Sequence, residues 1–136
     1  MTAFELKIVT LDGLEYDGMA EEVVVRTTSG DLGILAGHIN CAAPLGMGQA
    51  TFIMEGRKRY AACIGGLISV VDGSVTLVPT TFEWAEEIDV DRADRAAERA
   101  KSVISDKESS NTDVLMAEAK LKRALVRKNV ATYKSK

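Results

Sequence analysis

Hydrophobic and polar positions alternate along the first part of the chain with the period of a β-strand. Phe4, Leu6 and Ile8 alternate with polar neighbours, as in a strand that is buried on one face. Short apolar or β-branched runs follow, and they cover residues 14–16, 23–25, 49–54, 59–64, 67–71 and 74–78. Many short strands of this kind predict an antiparallel β-sandwich, in which two sheet faces bury each other.

Glycine-containing segments separate these runs. The pairs Asp12-Gly13 and Asp72-Gly73 are typical of turns between strands, and Glu55-Gly56-Arg57 predicts a hairpin turn. Ser29–Gly33 is predicted to be a polar turn, and Gly65-Gly66 is predicted to separate two strands.

The pattern changes to a helical one after Trp84, since no glycine or proline occurs from Ala85 onward. Apolar residues then recur at helical spacing and predict two helices. In the first helix they are Ile88, Ala93, Ala96, Ala97, Ala100, Val103 and Ile104, and in the second Val114, Ala117, Leu121, Ala124 and Leu125.

Polar residues mark the ends of these helices. Asp89 is the predicted N-cap of the first helix, and the polar segment 105–112 ends it. Asn111 or Thr112 is predicted to cap the second. A short link predicts antiparallel pairing. The chain is therefore predicted to be α+β, with a β-sandwich over 1–84 and a C-terminal antiparallel two-helix hairpin over 85–136.

Alanine dominates the predicted contact face of the helices. Small side chains bury little apolar surface, and at about 25 cal/mol per Å² they stabilise packing weakly. We therefore expect a hairpin that a competing partner or a ligand is able to displace.

The composition describes a chain with a large aliphatic core. Hydrophobic residues make up 46% of the 136 residues, but aromatic residues only 5%. The N-terminus lacks a basic segment followed by an apolar block, and no apolar run approaches the ~20 residues that span a membrane. These features predict a soluble, intracellular protein.

Charge is distributed unevenly between the two parts. Residues 1–84 carry ten acidic and five basic side chains, a net charge of −5, whereas 85–136 carry ten acidic and twelve basic ones, a net charge of +2. Residues 120–136 contain seven basic side chains and no acidic one. A basic folded domain, which is typical of nucleic-acid binding, is missing. The positive C-terminal run predicts an acidic protein surface as partner.

Residues suited to catalysis are few. His38 is the single histidine, and it would have to serve any Ser/His/Asp or Cys/His mechanism, for instance with Cys41. Two isolated cysteines, Cys41 and Cys63, are typical of small buried side chains, and their spacing does not match a zinc site. Neither standard phosphate-loop motif occurs. We predict that the protein is not an enzyme and holds no metal.

Arginines recur at helical spacing in the second part. Arg92, Arg95 and Arg99 are three and four residues apart and share one helix face, as do Arg123 and Arg127 on the partner helix. Two interpretations stay open. The arginines either form intrahelical ion pairs, for example Asp91 with Arg95, or converge on an anionic ligand such as a nucleotide phosphate.

Several segments, in order, resemble the epsilon subunits of bacterial F-type ATP synthases, and the resemblance covers essentially the whole chain. The segment Ile88–Ala93 matches the family motif I/L-D-x-x-R-A at every specified position. The other landmarks are Ile8-Val9-Thr10, Gly30–His38, Pro44–Gly48 and Gly65-Gly66.

This resemblance implies a non-catalytic rotor subunit. The family's β-sandwich binds the gamma subunit and rests on the membrane ring of c subunits, so that rotation is coupled to ATP synthesis driven by protons or sodium ions. Asp31 and His38 resemble residues of the loop that makes those contacts. The family's helical hairpin either folds down or extends toward the catalytic alpha and beta subunits, where basic residues face acidic segments and inhibit ATP hydrolysis.

The resemblance also implies a regulatory ligand, ATP, with no cofactor required. By motif, Ile88, Asp89, Arg92 and Ala93 correspond to the ATP site of members that bind the nucleotide, and Glu83 lies just upstream. Arg99, Arg123 and Arg127 resemble the arginines on the phosphate side. The implied location is the cytoplasmic face of the bacterial cell membrane, reached only through the complex. The alternative hypothesis is a free-standing ATP-sensing module.

Overall fold

The computed structural model describes residues 2–134, which divide into two compact units at Trp84 and Ala85. Residues up to Trp84 form eight β-strands. Their bounds are β1 Phe4–Thr10, β2 Gly13–Ala20, β3 Glu22–Thr27, β4 Gly30–Leu35, β5 Cys41–Pro44, β6 Met47–Met54, β7 Arg57–Val71 and β8 Ser74–Trp84.

Neighbouring strands in the sheet are hydrogen-bonded in the order β2-β1-β8-β7-β6-β3-β4, and β5 pairs with β7. All these pairs are antiparallel except β1 with β8, whose register places Leu6 beside Val75. The sandwich predicted from the alternation is confirmed. The parallel pair was not predicted, because period-2 alternation is the same in both kinds of pairing.

The Gly65-Gly66 pair lies inside one strand and does not separate two strands, so this part of the prediction was wrong. Both glycines have positive φ, at 68° and 102°. A Cβ on Gly66 would lie 2.0 Å from the carbonyl oxygen of Val78. The glycines therefore let the 15-residue β7 bend while β8 continues beside it, and β7 pairs with β6 before the bend and with β5 after it.

Residues 30–35 are a strand, although Ser29–Gly33 was predicted to be a turn. β4 occupies an edge of the sheet, and Ile34 is its one fully buried side chain. An edge strand with glycines and an exposed aspartate has little of the alternation on which the prediction depended.

Large aliphatic and aromatic side chains fill the sandwich core. Phe52 is fully buried, and its ring meets those of Phe82 and Trp84 edge to face at centroid distances of 6.1 and 5.4 Å. The guanidinium of Arg59 lies 3.7 Å from the centre of the Trp84 ring. Other fully buried members are Leu6, Ile8, Val23, Val25, Ile34, Ile68 and Leu77.

The second unit begins with a single 3-10 turn, Ala85–Glu87. It continues with α1, Val90–Ser105, and α2, Asn111–Ala131. The two helices pack along their lengths, which confirms the predicted pair. No helix among residues 2–134 is both long and apolar enough to cross a membrane.

Candidate functional site

Small side chains form the seam between α1 and α2. Ala93, Ala97 and Ala100 are buried on α1, and Ala117 and Ala124 are buried on α2. The predicted stripe of α2 is only partly right. Leu125 is 46% exposed and Leu121 is half-buried, whereas Val130 and Ala131, which the prediction omitted, are buried. Because α2 faces α1 with its alanines, Leu121 and Leu125 lie outside the seam.

Side-chain caps fix the end of the hairpin next to the interhelical segment. Ser110, and neither Asn111 nor Thr112, is the N-cap of α2, and it forms a reciprocal capping box with Asp113. The hydroxyl of Ser109 donates a hydrogen bond of 2.8 Å to the carbonyl oxygen of Val103. The polar residues that break the helical pattern thus also close the turn.

Two polar contacts join the other end of the hairpin. Lys128 Nζ lies 2.9 Å from Asp94 Oδ1, so this acidic side chain pairs across the hairpin with α2. Lys134 Nζ donates a hydrogen bond to the carbonyl oxygen of Ile88. Lys128 and Lys134, two basic residues of segment 120–136, therefore stabilise the hairpin itself. Ser135 and Lys136, which end that run, lie outside the described residues.

The motif residues at the start of α1 have structural roles. Asp89 is the N-cap, as predicted, and its Oδ1 accepts a hydrogen bond of 3.0 Å from the backbone N–H of Arg92. Ile88 is 1% exposed and Ala93 is 4% exposed. The side chain of Arg92 is exposed and lies one turn before Ala96, on the same helix face.

A groove of about 620 Å³ runs between the two helices. Its lining includes Arg99 of α1 and Arg123 and Arg127 of α2. These are the three arginines that were predicted to lie on the phosphate side of one ligand. The remaining residues that line it are Ala96, Ala100, Val103, Ser109, Asp113, Met116, Ala117 and Lys120.

Other proposed site residues lie elsewhere. Ile88, Asp89, Arg92 and Ala93 do not line this groove, and Glu83 belongs to the other unit, where it is half-buried in β8 opposite Ala62. Lys120 was not among the site residues predicted from the sequence. Its spacing of three and seven residues from Arg123 and Arg127 was the available signal, because such residues share one helix face.

The two proposed partner residues are on different segments, and the single loop expected for them was wrong. Asp31 is the second residue of β4, and its Oδ1 lies 2.8 Å from Nε of Arg26 on the neighbouring strand. His38 lies beyond the end of β4. At ~3.3 Å per residue, the strand carries the chain about 13 Å from Asp31 to Leu35.

The geometry does not favour either cysteine as a catalytic nucleophile. Burial raises the pKa of the Cys63 thiol to about 12, so this thiol is protonated at neutral pH. Cys41 Sγ lies 3.9 Å from His38 Nδ1, but that nitrogen is 2.8 Å from the carbonyl oxygen of Ile39. A carbonyl only accepts, so Nδ1 carries the proton and is not a base for Cys41. Residues 2–134 contain no cluster of three or more potential metal ligands.

The chain matches two family models that together cover nearly all of it. Residues 3–85 match the β-sandwich domain of the ATP synthase delta/epsilon chain, and residues 86–132 match the long α-helix domain of the same chain.

Curated relatives agree with these models. The ATP synthase epsilon chain of Shouchella clausii is 40% identical over 134 residues, which cover 98% of each chain. That of Bacillus velezensis is 43% identical over 131 residues, which cover 96% of this chain and 98% of the relative.

Two solved structures share the fold at low identity. A chain of the Euglena gracilis mitochondrial ATP synthase, in a structure of OSCP, F1 and c-ring, superposes with a TM-score of 0.78 and 24% identity, covering 88% of this chain and 76% of that one. A chain of the Tetrahymena thermophila central stalk and c-ring gives 0.66 at 11% identity, covering 93% and 95%. On the family models and the close relatives together, this chain belongs to the ATP synthase delta/epsilon family and is similar to its non-catalytic bacterial epsilon chains.

Proposed function

We propose that this chain works in the central stalk of a bacterial F-type ATP synthase, where it couples rotation to ATP synthesis and inhibits ATP hydrolysis. The proposed partners are the gamma subunit and the c-ring for the β-sandwich, and the catalytic alpha and beta subunits for the helices. The family membership supports the assignment, and the two solved assemblies are named for F1, the c-ring and the central stalk. The complex would place the chain at the cytoplasmic face of the cell membrane.

The alanine seam is the observation that carries the inhibitory role. Each buried alanine stabilises the seam by roughly 2 kcal/mol less than a leucine would, because about three carbons fewer leave water. A partner that offers a larger interface is then able to separate the helices. Lys120 and Arg123, which share one face of α2, supply positive charge toward an acidic surface.

The attachment role is assigned to the sandwich through Asp31 and His38. Asp31 is exposed and His38 is half-buried, and Asp31 is presented together with its ion-pair partner Arg26. A surface that offers a carboxylate and a guanidinium side by side suits a polar partner loop.

An ATP-sensing role is supported by the groove between the helices. Arg99, Arg123 and Arg127 line it, and guanidinium groups are well suited to bind phosphate oxygens in pairs. Ligand bound there would favour the closed hairpin only by its difference in affinity for the closed and open states. We propose that the motif residues Ile88, Asp89, Arg92 and Ala93, at the start of α1, also contribute to nucleotide binding.

Truncation tests the inhibitory role. A chain that ends at Glu87 should still assemble into the ATP synthase of the source cells, and ATP hydrolysis by that complex should rise, because the helices are missing. The matched control is the full-length Lys107→Gln variant, which changes one exposed residue of the interhelical segment. Unchanged hydrolysis after truncation, with assembly intact, would show that the helices do not inhibit.

Co-purification separates this assignment from a free-standing ATP-sensing module. Under mild lysis the chain should be recovered with a gamma subunit, since the proposed role requires a rotor. Recovery of the chain alone, together with heat released on ATP titration of the isolated chain, would favour the free-standing module instead.

A further inference from the structure

Arg26 and Asp31 face each other across the hairpin that β3 and β4 form. Their backbones are paired in register, and Arg26 Nε lies 2.8 Å from Asp31 Oδ1. The two side chains are 52% and 59% exposed. An exposed ion pair of this kind adds little to folding stability. Its value to a partner therefore depends on where it holds the carboxylate.

The backbone that carries Asp31 is held by the turn before it. The hydroxyl of Thr27, a residue only 8% exposed, donates a hydrogen bond of 2.6 Å to the carbonyl oxygen of Gly30. The same hydroxyl oxygen accepts a hydrogen bond of 3.1 Å from the backbone N–H of Ser29. With the turn closed in this way, the side-chain torsions are the main freedom that Asp31 retains.

Two glycines of the segment beside β3 make room for the Arg26 side chain. The backbone N–H of Gly46 donates a hydrogen bond of 2.9 Å to the carbonyl oxygen of Arg26. A Cβ on Gly48 would lie 2.6 Å from Cβ of Arg26 and 3.0 Å from its Cγ. Neither glycine has a positive φ, so the backbone conformation does not require glycine at these positions. The space that they leave is filled by the stem of Arg26, which lies against the strand.

We propose that Arg26 is a positioning residue, which holds the Asp31 carboxylate in one rotamer for a partner loop that donates N–H groups. This inference deepens the attachment role proposed for Asp31 and rests on it. Within residues 2–134, Nε of Arg26 engages Oδ1 of Asp31, and no hydrogen bond or ion pair engages Oδ2. An unpaired aspartate divides its time among staggered rotamers, so a carboxylate held in one of them loses less entropy on docking.

Scalar couplings between the Hα and Hβ protons of Asp31 test the positioning in the free, full-length chain. The parent chain should show one χ1 rotamer, and Arg26→Met, which loses the guanidinium, should show couplings averaged over several. The matched control is Arg57→Met, which removes the same charge beside Met54, about 20 Å along β6 from Gly48. It should leave the couplings of Asp31 unchanged. Averaged couplings in the parent chain, or unchanged couplings in Arg26→Met, would overturn the positioning role.

A double-mutant cycle tests whether the positioning matters for docking. The quantity measured is the affinity of the full-length chain for the ATP synthase complex of the source cells, depleted of this chain. Asp31→Ala should weaken docking about tenfold, because a charged hydrogen-bond acceptor is lost. Arg26→Met should weaken it about threefold, since about one staggered rotamer in three then suits the partner. In the Asp31→Ala background, Arg26→Met should have no further effect, because no carboxylate is left to position.

The outcomes separate this inference from the function on which it rests. The same loss for Arg26→Met in both backgrounds would overturn the positioning role and leave Asp31 as a contact. Unchanged docking of Asp31→Ala would remove Asp31 from the attachment surface, and the inference would fall with it. A parent chain that does not dock would overturn the central-stalk assignment and the docking half of the inference, and the couplings of Asp31 would decide the other half.

Discussion

The β-sandwich and the helical pair bury their hydrophobic faces with side chains of very different size. Phe52, Leu6 and Ile68 are at most 1% exposed in the sandwich, whereas the seam of the helices is built from alanines such as Ala97 and Ala124. Buried apolar area sets most of the stability of a packed contact. One unit is therefore suited to stay assembled, while the other is suited to open.

The two units also differ in how far apart in sequence their contacting residues lie. In the sandwich, β1 pairs with β8, so residues such as Leu6 and Val75 are brought together from opposite ends of the unit. The helices are joined by the short segment 106–110 and contact each other locally. A local pair loses little loop-closure entropy when it closes again, so it is able to open and close within an otherwise folded chain.

Phe52→Ala should produce the largest effect, because it removes a fully buried ring from the sandwich core. We expect a loss of about 4 kcal/mol in the free energy of unfolding. Urea unfolding followed by Trp84 fluorescence measures it, since Trp84 belongs to this unit. The control is Val78→Ala, at a position 44% exposed, which should cost at most about 0.5 kcal/mol. A loss below about 1 kcal/mol for Phe52→Ala would contradict a tightly packed core.

Ala124→Leu tests the seam of the helical pair. Position 124 is 0% exposed, and a larger side chain there should separate the helices at a cost of about 1–3 kcal/mol. Thermal unfolding followed by circular dichroism at a helical wavelength should show the loss, while the Trp84 transition stays in place. Lys122→Leu introduces the same side chain at an exposed position and should be nearly neutral. If both variants unfold alike, close packing of the seam is not what joins the helices.

Asp94→Asn should have the smallest effect. It removes the ion pair between Asp94 and Lys128, whose side chains are 48% and 40% exposed, respectively. The expected loss in the free energy of unfolding is therefore about 0.5 kcal/mol, and it should shrink as salt is added. Helical circular dichroism at low and high salt measures it. Glu98→Gln, which removes an ion pair within α1 alone, is the control. A loss that does not respond to salt would mean that Asp94 acts through something other than its charge.

Features that depend on local pattern were predicted best. The helices, the N-cap at Asp89 and the division into strands and helices all follow from spacing and residue type over a few positions. Where the prediction was wrong, neighbours distant in sequence decide the structure. Gly65 and Gly66 look like a break, but they allow one strand to bend beside β8. Leu125 looks like a seam residue, but alanines turn α2 toward α1 and leave it exposed.

The candidate site divides in the same way. Residue type and helical spacing were enough to show which side chains carry charge and which helix face they share, and they identified Arg99, Arg123 and Arg127. Packing in three dimensions determines that these arginines line one groove, that Lys120 joins them, and that Asp31 is paired with Arg26. The physical reason is that helical spacing places residues on a face, whereas packing between elements decides what that face meets.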